Sequence, residues 1–96
     1  MQQRTVTISN RLGLHARAAA RLVRRASQFS SNVSLLREDT GETADGKSIL
    51  SVLLLAASRG TSLIIKTDGD DEARALDALV ELVEQKFGEE LSDGVF

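Results

Sequence analysis

Residues 5–29 read TVTISNRLGLHARAAARLVRRASQF and join a strand, a loop and a helix in one run. The first five residues alternate between polar and apolar side chains, which is typical of a strand. Asn10 to Gly13 carry turn-forming residues. From Ala16 onward, apolar residues recur at helical spacing with arginines on the other side, which predicts an amphipathic helix. Its apolar positions are Ala19, Leu22, Val23, Ala26 and Phe29.

The only histidine of the chain, His15, lies immediately before this helix. The first backbone N–H groups of a helix have no acceptor inside it, and the helix dipole adds partial positive charge there. Such a terminus favours a bound phosphate and disfavours an imidazolium, which keeps a histidine neutral and nucleophilic. Gly13 permits the turn that directs His15 to the helix start, and Arg17 supplies a bidentate partner for phosphoryl oxygens. Position alone leaves open the alternative of a surface histidine with no role.

Downstream of this stretch, the pattern predicts strands at residues 33–36 and 42–45 and a helix from 49 to about 57. Ser48 is the expected N-cap of that helix. The helix has almost no polar side, so part of its apolar surface is expected to face solvent and to mark a partner site. The alternative is that its leucines belong to a simple core helix.

The last third of the chain predicts a strand at residues 62–67 and a helix opened by the acids at 70–72, where the helix dipole favours negative charge. Gly88 is a plausible stop. The resulting order, βαββαβα without a linker or repeat, predicts one α+β domain over residues 1–88 with a short polar tail at 89–96. The buried stripe of the last helix is expected at Leu76, Leu79, Val80, Val83 and Phe87.

The composition excludes several classes of site. A length of 96 residues permits one small core and excludes a bilobed enzyme. The chain has no cysteine and one histidine, so we expect no disulfide, no metal site and no cofactor. It shows no apolar leader and no run of about 18 apolar residues, so we expect a cytoplasmic protein without membrane insertion.

Charge is distributed unevenly along the chain. Residues 1–37 carry seven arginines and no acid, whereas residues 68–96 carry ten acids against Arg74 and Lys86. Only three aromatic residues are present, all of them phenylalanine, and no lysine- or arginine-rich run occurs, so we expect no nucleic-acid binding. An acidic protein partner explains the arginines more easily. For each single arginine of the helix, a solvated helix face remains the alternative.

Residues 41–48, GETADGKS, match the pattern of a phosphate-binding P-loop. A P-loop must follow a buried parallel strand, but the residues before Gly41 form a charged turn. Two acids, Glu42 and Asp45, also lie where the loop would cradle polyphosphate. We therefore expect no nucleotide hydrolysis from this motif.

Two motifs and the order of elements resemble the histidine-containing phosphocarrier family HPr. The resemblance runs from residue 5 to about residue 87. It implies an open-faced β-sandwich in which three helices cover one face of a four-stranded antiparallel sheet. It also implies that His15 accepts a phosphoryl group on Nδ1 from Enzyme I and passes it to an EIIA-type domain of the phosphoenolpyruvate-dependent sugar phosphotransferase system. The motifs are Gly13-Leu14-His15-Ala16-Arg17 and Gly46-Lys47-Ser48-Ile49-Leu50-Ser51-Val52.

Under this resemblance, Arg17 stabilises the phosphoryl group, and the backbone N–H groups of Ala16 and Arg17 hold its oxygens. Phosphoryl transfer asks a protein mainly for positioning and charge stabilisation. The sequence shows no general base or substrate pocket, so we expect a monomeric carrier that is an intermediate in phosphoryl transfer rather than a stand-alone enzyme. The expected docking surface for its partners consists of Leu14, Ala20, Arg24, Ile49, Leu50 and Leu53.

Ser48 resembles the site that HPr kinase/phosphorylase modifies in the family. A phosphate at this N-cap would leave the helix intact and would add about two negative charges to an apolar docking surface. The family usually has proline where this chain has Ala18. Alanine keeps the helix, but proline presets its first turn, so the expected consequence is a less rigid loop at His15.

Two other functions remain open at this point. One is a regulatory, nitrogen-type phosphotransferase component that acts by phosphorylation-dependent protein binding instead of sugar transport. The other is a small-molecule-binding α+β domain, for which the P-loop-like motif is the only hint.

Overall fold

Four strands form one antiparallel sheet in the computed structural model, which describes residues 1–89. The strands are β1 (Gln2–Thr7), β2 (Asn32–Arg37), β3 (Thr43–Asp45) and β4 (Ser62–Asp68), and they lie in the order β1-β4-β2-β3. The helices are α1 (Ala16–Ala26), α2 (Ile49–Leu54) and α3 (Glu72–Glu84). A short 3-10 turn, Lys86–Gly88, follows α3. The predicted α+β class and the order βαββαβα are confirmed.

All three helices lie on one face of the sheet. Successive side chains of a strand point to opposite faces, so the residues under the helices are buried and those between them are more exposed. Leu35 is fully buried and pairs with Ala44 on one side and Ile65 on the other. Leu36 and Ile64 occupy the opposite face and are only half-buried. This pattern gives the open-faced sandwich. The inward-facing residues of the sheet are Val6, Val33, Leu35, Ala44, Leu63, Ile65 and Thr67.

The stripe predicted for the last helix is confirmed, because all five of its residues are buried. Phe87 lies beyond the end of α3 and is 1% exposed. In α1, Ala19, Leu22 and Ala26 are buried, whereas Val23 is partly buried against the core. None of the helices within residues 1–89 combines the length and the apolar character that crossing a membrane requires.

Several elements differ in extent from the sequence prediction, most clearly the first strand and the helices α1 and α2. The first strand occupies Gln2–Thr7 instead of residues 5–9, because its polar first half pairs with β4 along the sheet edge. Helix α1 ends at Ala26, so Phe29 lies outside it and is half-buried. The guanidinium of Arg25 lies 5.3 Å from the centroid of the Phe29 ring. The ring therefore finds a cation on the surface instead of a place in the core.

Helix α2 ends at Leu54 and not near residue 57, because the chain must turn back toward α1. Ala56 takes a positive φ of 50°, which no helix continues. Arg37 satisfies the carbonyl groups that this early end leaves open, since its Nη1 donates to Leu55 O at 2.8 Å and to Ala56 O at 3.1 Å. A side chain from β2 therefore binds the carbonyl groups that follow the helix, and no local sequence signal marks that contact.

Gly13 holds the loop before α1 against the chain that follows α2. Its φ is +69°, and a Cβ atom there would lie 2.6 Å from the carbonyl oxygen of Ala57 and 2.8 Å from the Cα of Ser58. Leu14 donates its backbone N–H to the same Ala57 oxygen at 2.8 Å. Only glycine fits this contact, so the close approach of the two backbones fixes the position of the neighbouring His15.

Asp71 ties the loop between α1 and β2 to the start of α3. Its carboxylate accepts hydrogen bonds from the backbone N–H groups of Ser30 and Ser31, both at 2.9 Å, and from the hydroxyl of Ser31. These bonds, with the Ser31 hydroxyl as the largest cause, hold the pKa of Asp71 well below its usual range.

Gly13→Ala should destabilise the protein more than Gly41→Ala. Both residues have positive φ, +69° and +77°, where an alanine costs about 1–2 kcal/mol. A Cβ atom at Gly41 would meet nothing within 4 Å. Gly41→Ala therefore measures only the free energy that alanine loses by adopting a positive φ. We expect Gly13→Ala to lower the free energy of unfolding by about 3 kcal/mol. Urea denaturation followed by circular dichroism measures both, and equal losses would contradict the Gly13–Ala57 contact.

Asp71→Asn should lower the melting temperature at pH 7, and the difference from wild type should become smaller in acid. A depressed pKa in the folded state contributes stability above the unfolded-state pKa, about 3.9, and that contribution declines as the pH falls below it. The difference between wild type and Asp71→Asn should therefore narrow below about pH 4. Calorimetry across pH tests this, with Asp70→Asn, on an exposed neighbour, as the control. A difference that is constant with pH would show that the carboxylate charge is not involved.

Candidate functional site

His15 is the N-cap residue of α1, where the sequence places it. Its backbone is extended, with φ −77° and ψ −177°, and its carbonyl oxygen accepts the N–H of Ala19 at 2.9 Å. The side chain makes no capping hydrogen bond to the helix and is 30% exposed. The imidazole is therefore free of the backbone and reachable from solvent, while its own backbone begins the helix.

The start of α1 offers the donors that a phosphoryl group requires. Ala16 and Arg17 are exposed, and their backbone N–H groups bond to no acceptor within residues 1–89. The first turn of α1 contains no acidic residue. The Arg17 side chain also has no hydrogen-bond or ion-pair partner in the part of the chain that the structure describes. The two N–H groups and the Arg17 guanidinium can therefore bind an anion without breaking an existing contact.

The sequence analysis missed a carboxylate that lies against His15. Glu89, assigned to the polar tail, is 8% exposed, and its Oε2 is hydrogen-bonded to Nε2 of His15. Its Oε1 accepts a hydrogen bond from Nδ2 of Asn10 at 2.6 Å. The expectation of a tail from residue 89 therefore does not describe Glu89. The other tail residues, 90–96, lie outside the described part of the chain.

The turn after α3 brings Glu89 to the site. Lys86, Phe87 and Gly88 have positive φ values of 57°, 55° and 74°, which reverse the chain. The buried Phe87 ring anchors the turn, and Nη1 of Arg21 in α1 donates to the Phe87 carbonyl. His15 and Glu89 are 74 residues apart in the sequence, so no local spacing could reveal the pair.

Ser48 is the N-cap of α2, as predicted. Its hydroxyl accepts the N–H of Ser51 at 3.3 Å, and the Ser51 hydroxyl in turn accepts the N–H of Asp45 at 2.9 Å. The P-loop-like motif is not a phosphate loop, because its interior forms strand β3. The Nζ of Lys47 donates to the carbonyl oxygen of Phe29 at 2.8 Å, so the lysine links the α1–β2 loop to α2.

The docking residues predicted from the sequence do not all reach the surface. Ile49 and Leu50 are exposed, Arg24 is exposed, and Ala20 and Leu53 are half-buried. Leu14 is 4% exposed and belongs to the core, because the Gly13 turn directs it inward. The structure adds Leu12 and Leu54, which are 64% and 69% exposed. We call the exposed residues of α2, Ile49, Leu50 and Leu54, the apolar patch.

Residues 1–89 contain no cluster of three or more histidine, cysteine, aspartate or glutamate residues that could hold a metal ion. The chemistry available at this site is therefore that of an imidazole, a buried carboxylate, helix N–H groups and an arginine.

Comparison with known proteins gives a consistent result. Residues 2–85 match the family model PTS-HPr, described as the PTS HPr component phosphorylation site. A phosphocarrier protein HPr from Cupriavidus necator is 48% identical over 89 residues, which cover 93% of this chain and 98% of the relative. The crystal structure of HPr-C-His from Thermoanaerobacter tengcongensis aligns with a TM-score of 0.87 at 41% identity, covering 92% of this chain and 97% of that one.

A crystal structure of an HPr dimer from the same organism aligns with a TM-score of 0.71 at 40% identity, covering 91% of this chain and 98% of that one. Family model, sequence relatives and solved structures agree over nearly the whole chain. Of the two motifs that carried the resemblance, one lies at the start of α1 and the other at the start of α2. The chain therefore belongs to the HPr family, the phosphocarriers of the phosphotransferase system.

Proposed function

We propose that this phosphocarrier accepts a phosphoryl group on Nδ1 of His15 from Enzyme I and passes it to an EIIA-type domain in the cytoplasm. The observation that carries the proposal is the position of His15, partly exposed at the start of α1 beside N–H groups without acceptors. Because Nε2 is engaged by Glu89, Nδ1 is the ring nitrogen left for the phosphoryl group.

The transfer needs few groups. The lone pair of Nδ1 attacks phosphorus while the bond to the donor breaks, and the donor atom keeps that electron pair. The N–H groups of Ala16 and Arg17 and the Arg17 guanidinium take up the charge on the phosphoryl oxygens. An exposed site with few ligands also releases the group to the next protein, whereas a deep pocket would retain it. Catalysis in this scheme is shared with the partners, so the chain acts as a carrier and not as a stand-alone enzyme.

We place partner docking on the apolar patch together with the arginines of α1. The patch residues are exposed, with Leu50 at 65%, and α2 packs against α1. Arg17 and Arg24 are exposed on α1 and would pair with acidic groups of a partner. An apolar centre with a charged rim suits a transient protein contact. We also propose that the carrier works as a monomer, which leaves this surface open.

Incubation with phosphoenolpyruvate and Enzyme I should label the wild-type protein, and His15→Ala should abolish the label. Phosphohistidine is acid-labile and base-stable, so its stability distinguishes it from phosphoserine. Labelling measured after acid and base treatment is the test, with Ser48→Ala as the control that keeps the label. An unlabelled wild type, or a label that survives in His15→Ala, would reject the function.

We further propose that phosphorylation of Ser48 by HPr kinase/phosphorylase blocks docking without unfolding the protein. Ser48 is half-buried next to Ile49 of the apolar patch, and its hydroxyl caps α2. About two added negative charges would have to be desolvated when a partner covers this surface. The charge would also attract Arg17 or Arg24 away from an acidic partner.

Ser48→Asp should accept phosphate from Enzyme I about tenfold more slowly than wild type, since tenfold corresponds to about 1.4 kcal/mol of lost docking energy. Aspartate is as good an N-cap as serine, whereas Ser48→Ala loses the cap at a cost of about 1 kcal/mol. The melting temperature of Ser48→Asp should therefore exceed that of Ser48→Ala, although only Ser48→Asp slows the transfer. Initial rates and thermal melts measure both, and a wild-type rate for Ser48→Asp would refute the blocking effect.

A further inference from the structure

We propose that Glu89 is a positioning residue for His15, which keeps the ring proton on Nε2 and the lone pair on Nδ1. This inference rests on the proposed function, because it assigns a role in the same transfer. Its starting point is the hydrogen bond between Nε2 of His15 and Oε2 of Glu89.

The inferred location of the ring proton follows from pairing an ionised carboxylate with a neutral imidazole. An ionised carboxylate only accepts hydrogen bonds, so the partner nitrogen must donate. A neutral imidazole carries a single ring proton. With that proton on Nε2, Nδ1 holds the in-plane lone pair and can act as a nucleophile.

Glu89 is itself held in place, so it can hold the ring. The residue is 8% exposed, and its Oε1 accepts from Nδ2 of Asn10 at 2.6 Å. Asn10 is completely buried and donates through the same Nδ2 to the carbonyl oxygen of Gly13 at 2.8 Å. Because Gly13 is fixed against Ala57, the carboxylate is connected to the most constrained part of the loop.

The carboxylate also meets the charge that the transfer creates. When Nδ1 forms its bond to phosphorus, the ring becomes positively charged and keeps its proton on Nε2. Glu89 lies at that nitrogen, on the ring atom that does not bear the phosphoryl group. It therefore stabilises the protonated phosphoimidazole. In the next transfer, the N–P bond of this form breaks readily, because the imidazole that remains on His15 is neutral.

Three variants test the inference. Glu89→Ala removes both the acceptor and the charge, whereas Glu89→Gln keeps an acceptor oxygen for Nε2–H and removes only the charge. Glu84→Gln makes the same charge change on an exposed residue of α3 and serves as the control. Thermal melts of all three show whether the fold is retained.

The first measurement is nitrogen NMR of the His15 ring in the unphosphorylated protein at neutral pH or above. We expect an Nε2–H signal with the downfield proton shift of a strong hydrogen bond in wild type and Glu84→Gln. The signal should persist in Glu89→Gln with a smaller downfield shift. In Glu89→Ala it should disappear, because the unprotected ring proton exchanges rapidly with water. An unprotonated Nε2 in wild type would overturn the inference.

The second measurement is the rate of phosphoryl transfer from Enzyme I and onward to an acceptor domain. In metal sites, loss of the group that orients a ligating histidine costs about 10- to 100-fold. By analogy, Glu89→Ala should transfer the phosphoryl group at least about tenfold more slowly. Glu89→Gln should fall between it and wild type. A Glu89→Ala rate equal to or above that of wild type would overturn the inference, since Glu89 would then be a spectator or an obstacle.

The two measurements separate this inference from the proposed function. The NMR signal requires no Enzyme I, so it decides the ring proton even if wild type accepts no phosphate and the proposed function fails. A labelled wild type with an equally fast Glu89→Ala variant rejects only the role of Glu89.

Discussion

The contact between the backbones of Gly13 and Ala57 is the constraint on which the functional surface depends. It joins the loop before α1 to the chain after α2, with no space for a side chain between them. The hydrogen bond from Leu14 to Ala57 adds direction to this contact. Together they set His15 at the start of α1 and fix it relative to the apolar patch of α2. Under the proposed function, a carrier that presents one ring to several partners requires such a fixed relation between the ring and its docking surface.

The site combines groups from both ends of the described chain. α1 contributes donors and positive charge for a phosphoryl group, and the turn after α3 contributes a carboxylate for the opposite side of the ring. In the proposed transfer, Glu89 binds Nε2 of the ring, while the phosphoryl group occupies Nδ1.

The sequence was sufficient for the fold class, the element order, the buried stripe of α3 and the positions of His15 and Ser48. These features depend on local periodicity, on capping and on two recognisable motifs. It was insufficient wherever a distant residue decides the outcome. Beyond the end of α2, Arg37 from β2 binds the carbonyl groups of Leu55 and Ala56, and Leu14 is buried because the Gly13 turn directs it inward. Glu89 looks like a polar tail residue, since its partners Asn10 and His15 are more than 70 residues away.

The positive-φ turn at residues 86–88 has a consequence for the synthesis of the protein. A nascent chain acquires His15 and α1 early, but the carboxylate that meets the ring is added only after all four strands and α3 have been synthesised. The His15 ring therefore gains its buried partner only after residues 1–88 have been synthesised. A chain that ends before residue 89 carries the His15 ring without the carboxylate that fixes its orientation in the folded protein.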